Sequence, residues 1–390
     1  MLIFASKRHF DMKIITWHGF CLNVHIPCNG AGREPKGIGM DKKLVLQANN
    51  NLEVYMFNVG RGLAVLIKTP HNYAMLYDLG SSEELSPVAD IYRNGSFFDN
   101  MRKLDAVERK IAQCIISHPH LDHISDLTDD NAEFINALSS LVSCQNDKND
   151  NLHGHKIDFS RINNPNAEVQ IKNYKGLYAQ RQLPLRSFDP NVSSDFQLGL
   201  YYLKSLKASE LFPKDNQEYS NSLSIVLYLS YHGRTILIPG DVTPKAFELI
   251  LKGDCERRFT DCNSSMSNGL RNRWVTLTST QPSLGDLLKE KGLTVLVAPH
   301  HGLESGYPQC LFDLLGDNKP SIILISEKPQ SENSGSVDQR YQNGTCSKGV
   351  VIDGKTRYSL TTRNDGHIKV GFGCEGNGIV AKFSDFKDMF

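Results

Sequence analysis

Short apolar runs separated by glycine or proline turns dominate the chain after residue 51. Their length and their β-branched or aromatic content predict strands. The predicted strands occupy residues 52–59, 63–69, 73–79, 111–117, 223–229, 235–239, 293–298, 321–326, 349–352, 356–361 and 366–370. The runs 223–229 and 235–239 meet across the tetrapeptide Tyr-His-Gly-Arg, which predicts a hairpin, and the last three runs predict a C-terminal meander.

Apolar positions three and four residues apart predict helices between several of these strands. The predicted helices occupy residues 87–92, 100–111, 126–142, 243–251, 284–291 and 308–315. Pro244 falls in the first turn of its helix, where a missing backbone N–H leaves no hydrogen bond unmade. Strands that alternate with helices along the chain predict an α/β fold.

The chain divides into an N-terminal extension and one domain with two insertions. Residues 1–39 show no clean apolar period, and we expect them to be a poorly ordered extension. Residues 40–390 are predicted to form the domain, with polar insertions near 143–215 and 253–282. Long loops inside a compact domain are usually functional, so we expect the first insertion to lie over the active site.

The cysteines are scattered singly, without a C-x-x-C pair. Nine of them in this arrangement predict reduced thiols and a cytoplasmic location rather than a disulfide framework. Cys21, His25 and Cys28 have a loose zinc-like spacing, so a metal-binding tail is the alternative to a plain extension.

Charge and hydropathy exclude some function classes. The chain has 43 Lys plus Arg and 43 Asp plus Glu, so its formal net charge is zero and no global basic field attracts nucleic acid. A local patch formed by the basic residues of the insertions is still compatible with the sequence. No apolar run approaches the roughly 20 residues that cross a bilayer, so we expect no membrane span.

The most informative stretch is His118-Pro-His120-Leu-Asp122-His123, directly after the apolar run 111–117. A short loop can direct several side chains at one point. Neutral imidazole and carboxylate together suit zinc or manganese. This stretch therefore predicts a transition-metal site at a strand end.

The pattern H-x-H-x-D-H resembles the metallo-β-lactamase superfamily. Two later strands support the resemblance, since one ends in Gly240-Asp241 and the other in His300-His301-Gly302, in the order that the superfamily shows. The segment M-F-N-V-G-R-G-L-A-V-L-I at 56–67 is similar to the start of the soluble hydrolase domain of ComEC/Rec2-type competence proteins. The resemblance covers, in patches, residues 52–130 and 218–372.

The resemblance implies an αββα sandwich, with two mixed β-sheets flanked by helices, and a site for two divalent metal ions. Zinc is favoured and manganese is the alternative. His118 and His120 are expected to bind one ion, and Asp122, His123 and His301 the other. Asp241 is expected to bridge the two ions, and a metal-bridging hydroxide is the expected nucleophile.

Three points of this predicted site stay open. The first ion lacks a third histidine, for which the available residues are His153, His155 and His232. His300 and Asp122 are the predicted catalytic residues, with His300 as phosphate ligand or general acid, although His300 and His301 are interchangeable in the sequence. Asp78 is expected to orient a ligand histidine. The superfamily pattern has Asp at positions that Asn58 and Leu63 occupy here.

The resemblance implies a soluble metal-dependent phosphodiesterase or nuclease, with DNA as the first expected substrate and another phosphodiester as the second. The alternatives are a hydrolase of a small carbonyl substrate (a lactone, thioester or β-lactam type) and a metal-binding module that regulates a partner. If the chain has a dedicated partner, such as a defence or competence protein, the sequence does not reveal it.

Overall fold

The computed structural model describes residues 13–14, 51–70, 74–93, 111–137, 141–143, 159–162, 165–180, 196–259, 275–276, 282–327, 336–373 and 378–390. Several predictions lie outside these residues. They are the predicted helix over 100–111 apart from its last residue, the Cys21, His25 and Cys28 tail, and the candidate ligands His153 and His155.

Strands form the framework of the described residues. In chain order they are β1 (Lys13–Ile14), β2 (Leu52–Met56), β3 (Val65–Lys68), β4 (Ala74–Tyr77), β5 (Ile111–Ile116), β6 (Leu141–Ser143), β7 (Phe196–Tyr202), β8 (Val226–Tyr231), β9 (Arg234–Ile238), β10 (Glu256–Phe259), β11 (Val275–Thr276), β12 (Val295–Val297), β13 (Ile322–Ile325), β14 (Val350–Ile352), β15 (Lys355–Arg357), β16 (Ser359–Thr361), β17 (His367–Phe372) and β18 (Gly378–Phe383).

Helices connect and cover these strands. In chain order they are α1 (Pro87–Arg93), α2 (Leu121–Ile124), α3 (Ala132–Ala137), α4 (Glu168–Gln180), α5 (Ser205–Leu211), α6 (Asn216–Ser222), α7 (Pro244–Lys252), α8 (Leu284–Lys291), α9 (Gln309–Leu315) and α10 (Thr362–Asp365).

The strands form two large mixed sheets. The first sheet has the order β15-β14-β1-β18-β17-β2-β3-β4-β5-β6, and the second has the order β11-β10-β7-β8-β9-β12-β13-β16. In the first sheet β4, β5 and β6 are parallel, while β17, β2, β3 and β4 alternate in direction. The predicted α/β class, with two mixed sheets and flanking helices, is confirmed.

Side-chain alternation in the second sheet separates two hydrophobic cores. In β8, Leu227 and Leu229 belong to a core shared with the first sheet, whereas Val226 and Tyr228 belong to a core shared with α7, α8 and α9. Both faces of β8 are therefore buried, as in a sandwich with an outer helical layer. Burial of both faces fixes the positions of the strand ends. The loops that follow these ends carry the polar residues of the candidate site.

Local signals explain why some boundaries were predictable. Thr243 accepts a hydrogen bond from the backbone N–H of Ala246 and caps α7. His232 and Gly233 both have left-handed backbones, with φ of 46° and 74°, which matches the two-residue turn of a β8–β9 hairpin. The predicted hairpin and helix are confirmed at these positions.

The helix prediction over 126–142 was wrong at its C-terminal end. Among the described residues of this segment, the α-helix covers Ala132–Ala137, and residues 141–143 form β6, which runs parallel to β5. Three residues are too few for periodicity to separate a strand from a helix. The last strands also differ from a simple meander, because β15 pairs with β14 in the first sheet and β16 pairs with β13 in the second.

Parts of the predicted extension and insertions belong to the sheets. Lys13–Ile14, within the predicted extension 1–39, pairs in parallel with β14 and β18. Phe196–Tyr202, within the predicted insertion 143–215, pairs with β8 and β10. Strands β10 and β11, within the predicted insertion 253–282, extend the second sheet at its edge. Pairing with distant strands determines the secondary structure of these segments, and single-sequence patterns do not reveal such pairing.

Candidate metal centre

The histidine-rich loop follows β5, and Asp78 from the neighbouring strand end fixes it. Asp78 accepts hydrogen bonds from the backbone N–H of Ser117 at 2.6 Å and from the Ser117 hydroxyl at 2.8 Å. Its Oδ2 also lies 2.7 Å from Nδ1 of His123. A carboxylate at Nδ1 leaves Nε2 of His123 as the nitrogen with a free lone pair. This is the contact expected of a residue that orients a ligand histidine.

Asp241 reaches the same place from the end of β9. Gly240 before it has φ of 59°, and a Cβ at this glycine would lie 2.8 Å from Cβ of Ser117. Glycine is therefore required here for both its backbone conformation and its close approach to the β5 loop. The backbone N–H of Asp241 then donates to the Ser224 hydroxyl at 3.2 Å.

His300 and His301 follow β12 in an unusual backbone conformation. Both are left-handed, with φ of 50° and 56°. This conformation costs a residue other than glycine about 1–3 kcal/mol and is often found at functional sites. It separates the two side chains, since His301 is buried while His300 lines a cavity. His300 Nδ1 lies 3.3 Å from the Ser305 hydroxyl.

Four of the predicted ligands meet. One ligand atom from each of Asp122, His123, Asp241 and His301 lies within 4.8 Å of every other. His123 Nε2 is 3.2 Å from Asp241 Oδ1, and His301 Nε2 is 3.4 Å from Asp122 Oδ2. Despite these short distances, neither buried Nε2 has a partner in hydrogen-bond geometry among the described residues. Two imidazole lone pairs and two carboxylates around one point fit a transition-metal ion.

The charges of the cluster also fit a cation. Burial alone raises the pKa of Asp122 and Asp241, but His123 and His301 outweigh it and hold both pKa values well below the ordinary carboxyl range. Burial lowers the pKa of His123, but Asp241 and Asp78 raise it well above its ordinary value. The ionised carboxylates therefore favour positive charge between them.

His118 and His120 lie beside this cluster, but both nitrogens of His118 and Nδ1 of His120 have protein partners. His118 Nε2 is 3.0 Å from His120 Nδ1, and His118 Nδ1 is 3.1 Å from the Ser117 hydroxyl and 3.3 Å from that of Ser224. Burial lowers the pKa of both histidines, which keeps them neutral at neutral pH. They are not among the four residues whose ligand atoms converge.

His232 lies far along β9 from the cluster. It occupies the turn before Arg234, whereas Asp241 follows the opposite end of the same strand. A strand of five residues separates these two positions by roughly 16 Å. Of the three histidines that could complete the first site, His232 is therefore remote, and His153 and His155 lie outside the described residues. Asn221, which is fully buried in α6, has no hydrogen-bond partner for either of its side-chain amide atoms among the described residues.

The cluster borders a large cavity of about 1270 Å³. Its lining includes the predicted catalytic and metal-binding residues His120, Asp122, Asp241 and His300, together with Arg61 and Arg161. Asn58 also lines the cavity, whereas Leu63 is buried in the hydrophobic core. Roles for Arg61, Ser117 and Ser224 were not predicted from the sequence. Nothing in the periodicity distinguishes such residues, although Arg61 lies inside the segment 56–67 and Ser117 directly precedes the histidine-rich loop.

Comparisons with known proteins add little to this geometry. No protein-family model matches the chain. No curated protein matches it either. A crystal structure from Parabacteroides distasonis, named as a candidate metal-dependent hydrolase, is 12% identical over 68% of this chain and 90% of that chain, with a TM-score of 0.26. Structural similarity at that level supports no functional argument. Among the residues that the structure describes, no helix is both long enough and apolar enough to cross a membrane.

Proposed function

We propose that this chain is a metal-dependent hydrolase that cleaves phosphodiesters. The observation that carries the proposal is the pair of buried nitrogens, Nε2 of His123 and Nε2 of His301, which lie close to two carboxylates without hydrogen bonds. Buried polar atoms are nearly always satisfied, so such a pair indicates a missing partner. An ion bound here would be next to the cavity that Asp122 and Asp241 line.

Asp122, His123, Asp241 and His301 would hold the metal, with zinc favoured over manganese because half of the donors are imidazole. When bound, the metal supplies activation of water and positive charge for the substrate's oxygens. His118 and His120 would hold a second ion only after giving up the hydrogen bond between their rings. Asp241 is the residue that would then contact both ions.

The protein's own residues would orient a metal ligand and supply a hydrogen-bond or proton donor to the substrate. Asp78 holds His123 in the tautomer that presents Nε2. His300 lines the cavity, and its Nε2 is 3.9 Å from Asp241 Oδ2, so it is close to the cluster without belonging to it. We assign His300 to the substrate, either as a hydrogen-bond donor to phosphate or as the proton donor to the leaving oxygen.

A phosphodiester suits this cavity better than a neutral carbonyl compound. The cavity combines a candidate cation site with His300 and the guanidinium of Arg61. Two non-bridging oxygens that share a negative charge would be complementary to these groups. DNA is the first substrate to test. Three further points stay predictions. They are that residues 40–390 form one catalytic domain, that the location is cytoplasmic, and that a partner would be a defence or competence protein.

A metal-dependent activity screen tests the proposal. The metal-stripped protein would be reconstituted with zinc or manganese, analysed for bound metal, and assayed on single-stranded DNA, double-stranded DNA, RNA, bis-p-nitrophenyl phosphate and p-nitrophenyl acetate. We expect chelator-sensitive hydrolysis of at least one phosphodiester. Hydrolysis of the acetate alone would favour a carbonyl substrate, and bound metal without any turnover would favour a regulatory module.

A further inference from the structure

Arg61 lies in the loop between β2 and β3, and this loop is fixed against the candidate metal centre. The backbone N–H of Leu63 donates to the carbonyl oxygen of Asp122 at 3.1 Å. A Cβ at Gly62 would lie 2.8 Å from the same carbonyl oxygen, so the two backbones are in close contact. The Ser326 hydroxyl donates to the carbonyl of Gly62 from the other side. The position of Arg61 relative to Asp122 is therefore set by the backbone.

The cavity has two arginines, and they differ in what their guanidinium groups contact. Arg161 donates to Oδ1 of Asn216 at 3.0 Å and to the carbonyl of Phe212 at 2.6 Å, and it lies 3.9 Å from the ring centre of Tyr219. Most N–H donors of Arg161 are therefore already hydrogen-bonded within the protein. Among the described residues, Arg61 makes no hydrogen bond and has one ion-pair contact, 4.0 Å from Asp122 Oδ2.

The side chain of Arg61 is also accessible from the cavity, since 38% of its surface is exposed. An arginine held beside a metal-ligand candidate, with most of its donors free, is suited to bind an anionic group. The planar guanidinium can donate two parallel hydrogen bonds to two oxygens of one phosphate. A neutral ester offers no such pair of charged acceptors.

We propose that Arg61 binds a non-bridging oxygen of the substrate's phosphate and so selects an anionic phosphodiester over a neutral ester. This inference rests on the proposed function and names the residue that recognises the substrate class. The competing explanation is that Arg61 only balances the charge of Asp122. The two explanations differ in their consequences, because a charge partner of Asp122 would affect metal retention, whereas a phosphate ligand would affect anion binding.

The test compares Arg61→Ala and Arg61→Lys with the parent, all loaded with metal. Lys252→Ala is the control, since Lys252 is an exposed cation on α7 whose ion pair is with Glu248. Inorganic phosphate binding is measured by calorimetry, metal content by elemental analysis, and kcat/KM on bis-p-nitrophenyl phosphate and p-nitrophenyl acetate. Arg61→Ala should weaken phosphate binding about 10- to 100-fold. It should lower phosphodiester kcat/KM by about 10²-fold.

Arg61→Lys should lie between Arg61→Ala and the parent, because it keeps the charge and loses the fork. Metal content and acetate hydrolysis should be the same in the Arg61 variants as in the parent. Lys252→Ala should match the parent in every measurement. Unchanged phosphate binding in Arg61→Ala would overturn the inference, and so would loss of metal as its main effect. If the parent hydrolyses nothing in the screen, the proposed hydrolase fails, and phosphate binding by the metal-loaded proteins still decides the role of Arg61.

Discussion

Two buried charged clusters in this protein differ in whether the protein alone satisfies them. In the first sheet, Glu53 accepts a hydrogen bond from the Tyr55 hydroxyl at 2.7 Å and lies 3.2 Å from the Lys68 ammonium and 3.1 Å from that of Lys369. These four residues, which we call the Glu53 cluster, come from the adjacent strands β3, β2 and β17. Each carboxylate oxygen has a partner.

The candidate metal centre is also charged, and its residues are buried apart from the partly exposed Asp122. Asp122 and Asp241 lie near two imidazole nitrogens that make no hydrogen bond among the described residues. The Glu53 cluster gains its cations from lysines and can stabilise the fold by itself. The candidate metal centre leaves two imidazole nitrogens without hydrogen bonds, and a bound cation would satisfy them. The difference shows that unsatisfied groups, rather than buried charge as such, indicate a functional site.

Asp241→Ala should produce the largest functional effect. It removes a carboxylate that is close to both His123 and His301, so we expect loss of bound metal and a rate at least ~10³-fold lower, which corresponds to several kcal/mol. Elemental analysis and hydrolysis of bis-p-nitrophenyl phosphate measure this, while circular dichroism checks that the fold is retained. Activity within tenfold of the parent would contradict the proposed role of Asp241.

Glu53→Gln should have the opposite profile, with a large effect on stability and none on metal binding. It leaves two lysines without their shared anion, and we expect the free energy of unfolding to fall by about 3 kcal/mol. Urea denaturation and metal analysis of the same preparations test the contrast. Equal loss of metal from Glu53→Gln and Asp241→Ala would show that the two clusters are not independent.

The Glu53→Gln variant also tests a predicted pH dependence of the free energy of unfolding. Burial alone raises the pKa of Glu53, but Lys369 and Lys68 outweigh it and lower the pKa to about 2. Since this is below the unfolded value near 4.5, the cluster's contribution is present above pH 4.5 and is lost as the pH falls towards 2. The stability difference between parent and Glu53→Gln should therefore narrow from pH 6 to pH 3. A constant difference would mean that Glu53 titrates normally.

His300→Ala and His301→Ala should separate substrate contact from metal binding. Loss of His301 should lower both metal content and rate, whereas loss of His300 should lower the rate by ~10²-fold with metal nearly unchanged. If His300 donates a proton, a substrate with a p-nitrophenolate leaving group should be less sensitive than DNA. Equal sensitivity would favour phosphate binding. Metal loss only in His300→Ala would mean that the two roles are reversed.

The sequence predicts the parts of this site that follow from local order. Apolar runs identified β5, β9 and β12, and the resemblance of the residues after them to a metallohydrolase motif singled out His123, Asp241 and His301. Non-local contacts were not predictable. Phe196–Tyr202 is a strand because β8 and β10 pair with it. The loop of Arg61 packs against the carbonyl oxygen of Asp122, which is 60 residues after Gly62, and a Cβ at Gly62 would lie 2.8 Å from that oxygen. Neither contact leaves a periodic signal.

Of these variants, His120→Ala should have the smallest effect on activity. It also tests how many metal ions the site holds. His118 and His120 contact each other and lie outside the group of four converging residues, so we expect any ion held by this pair to be the weaker one. Its loss should lower the activity by roughly tenfold, because the four converging residues are intact. Stepwise chelation with metal analysis should show one ion leaving early in the parent and absent from His120→Ala. A single ion in both proteins would restrict metal binding to Asp122, His123, Asp241 and His301. The pair would then hold the β5 loop by hydrogen bonds, much as the lysines hold Glu53.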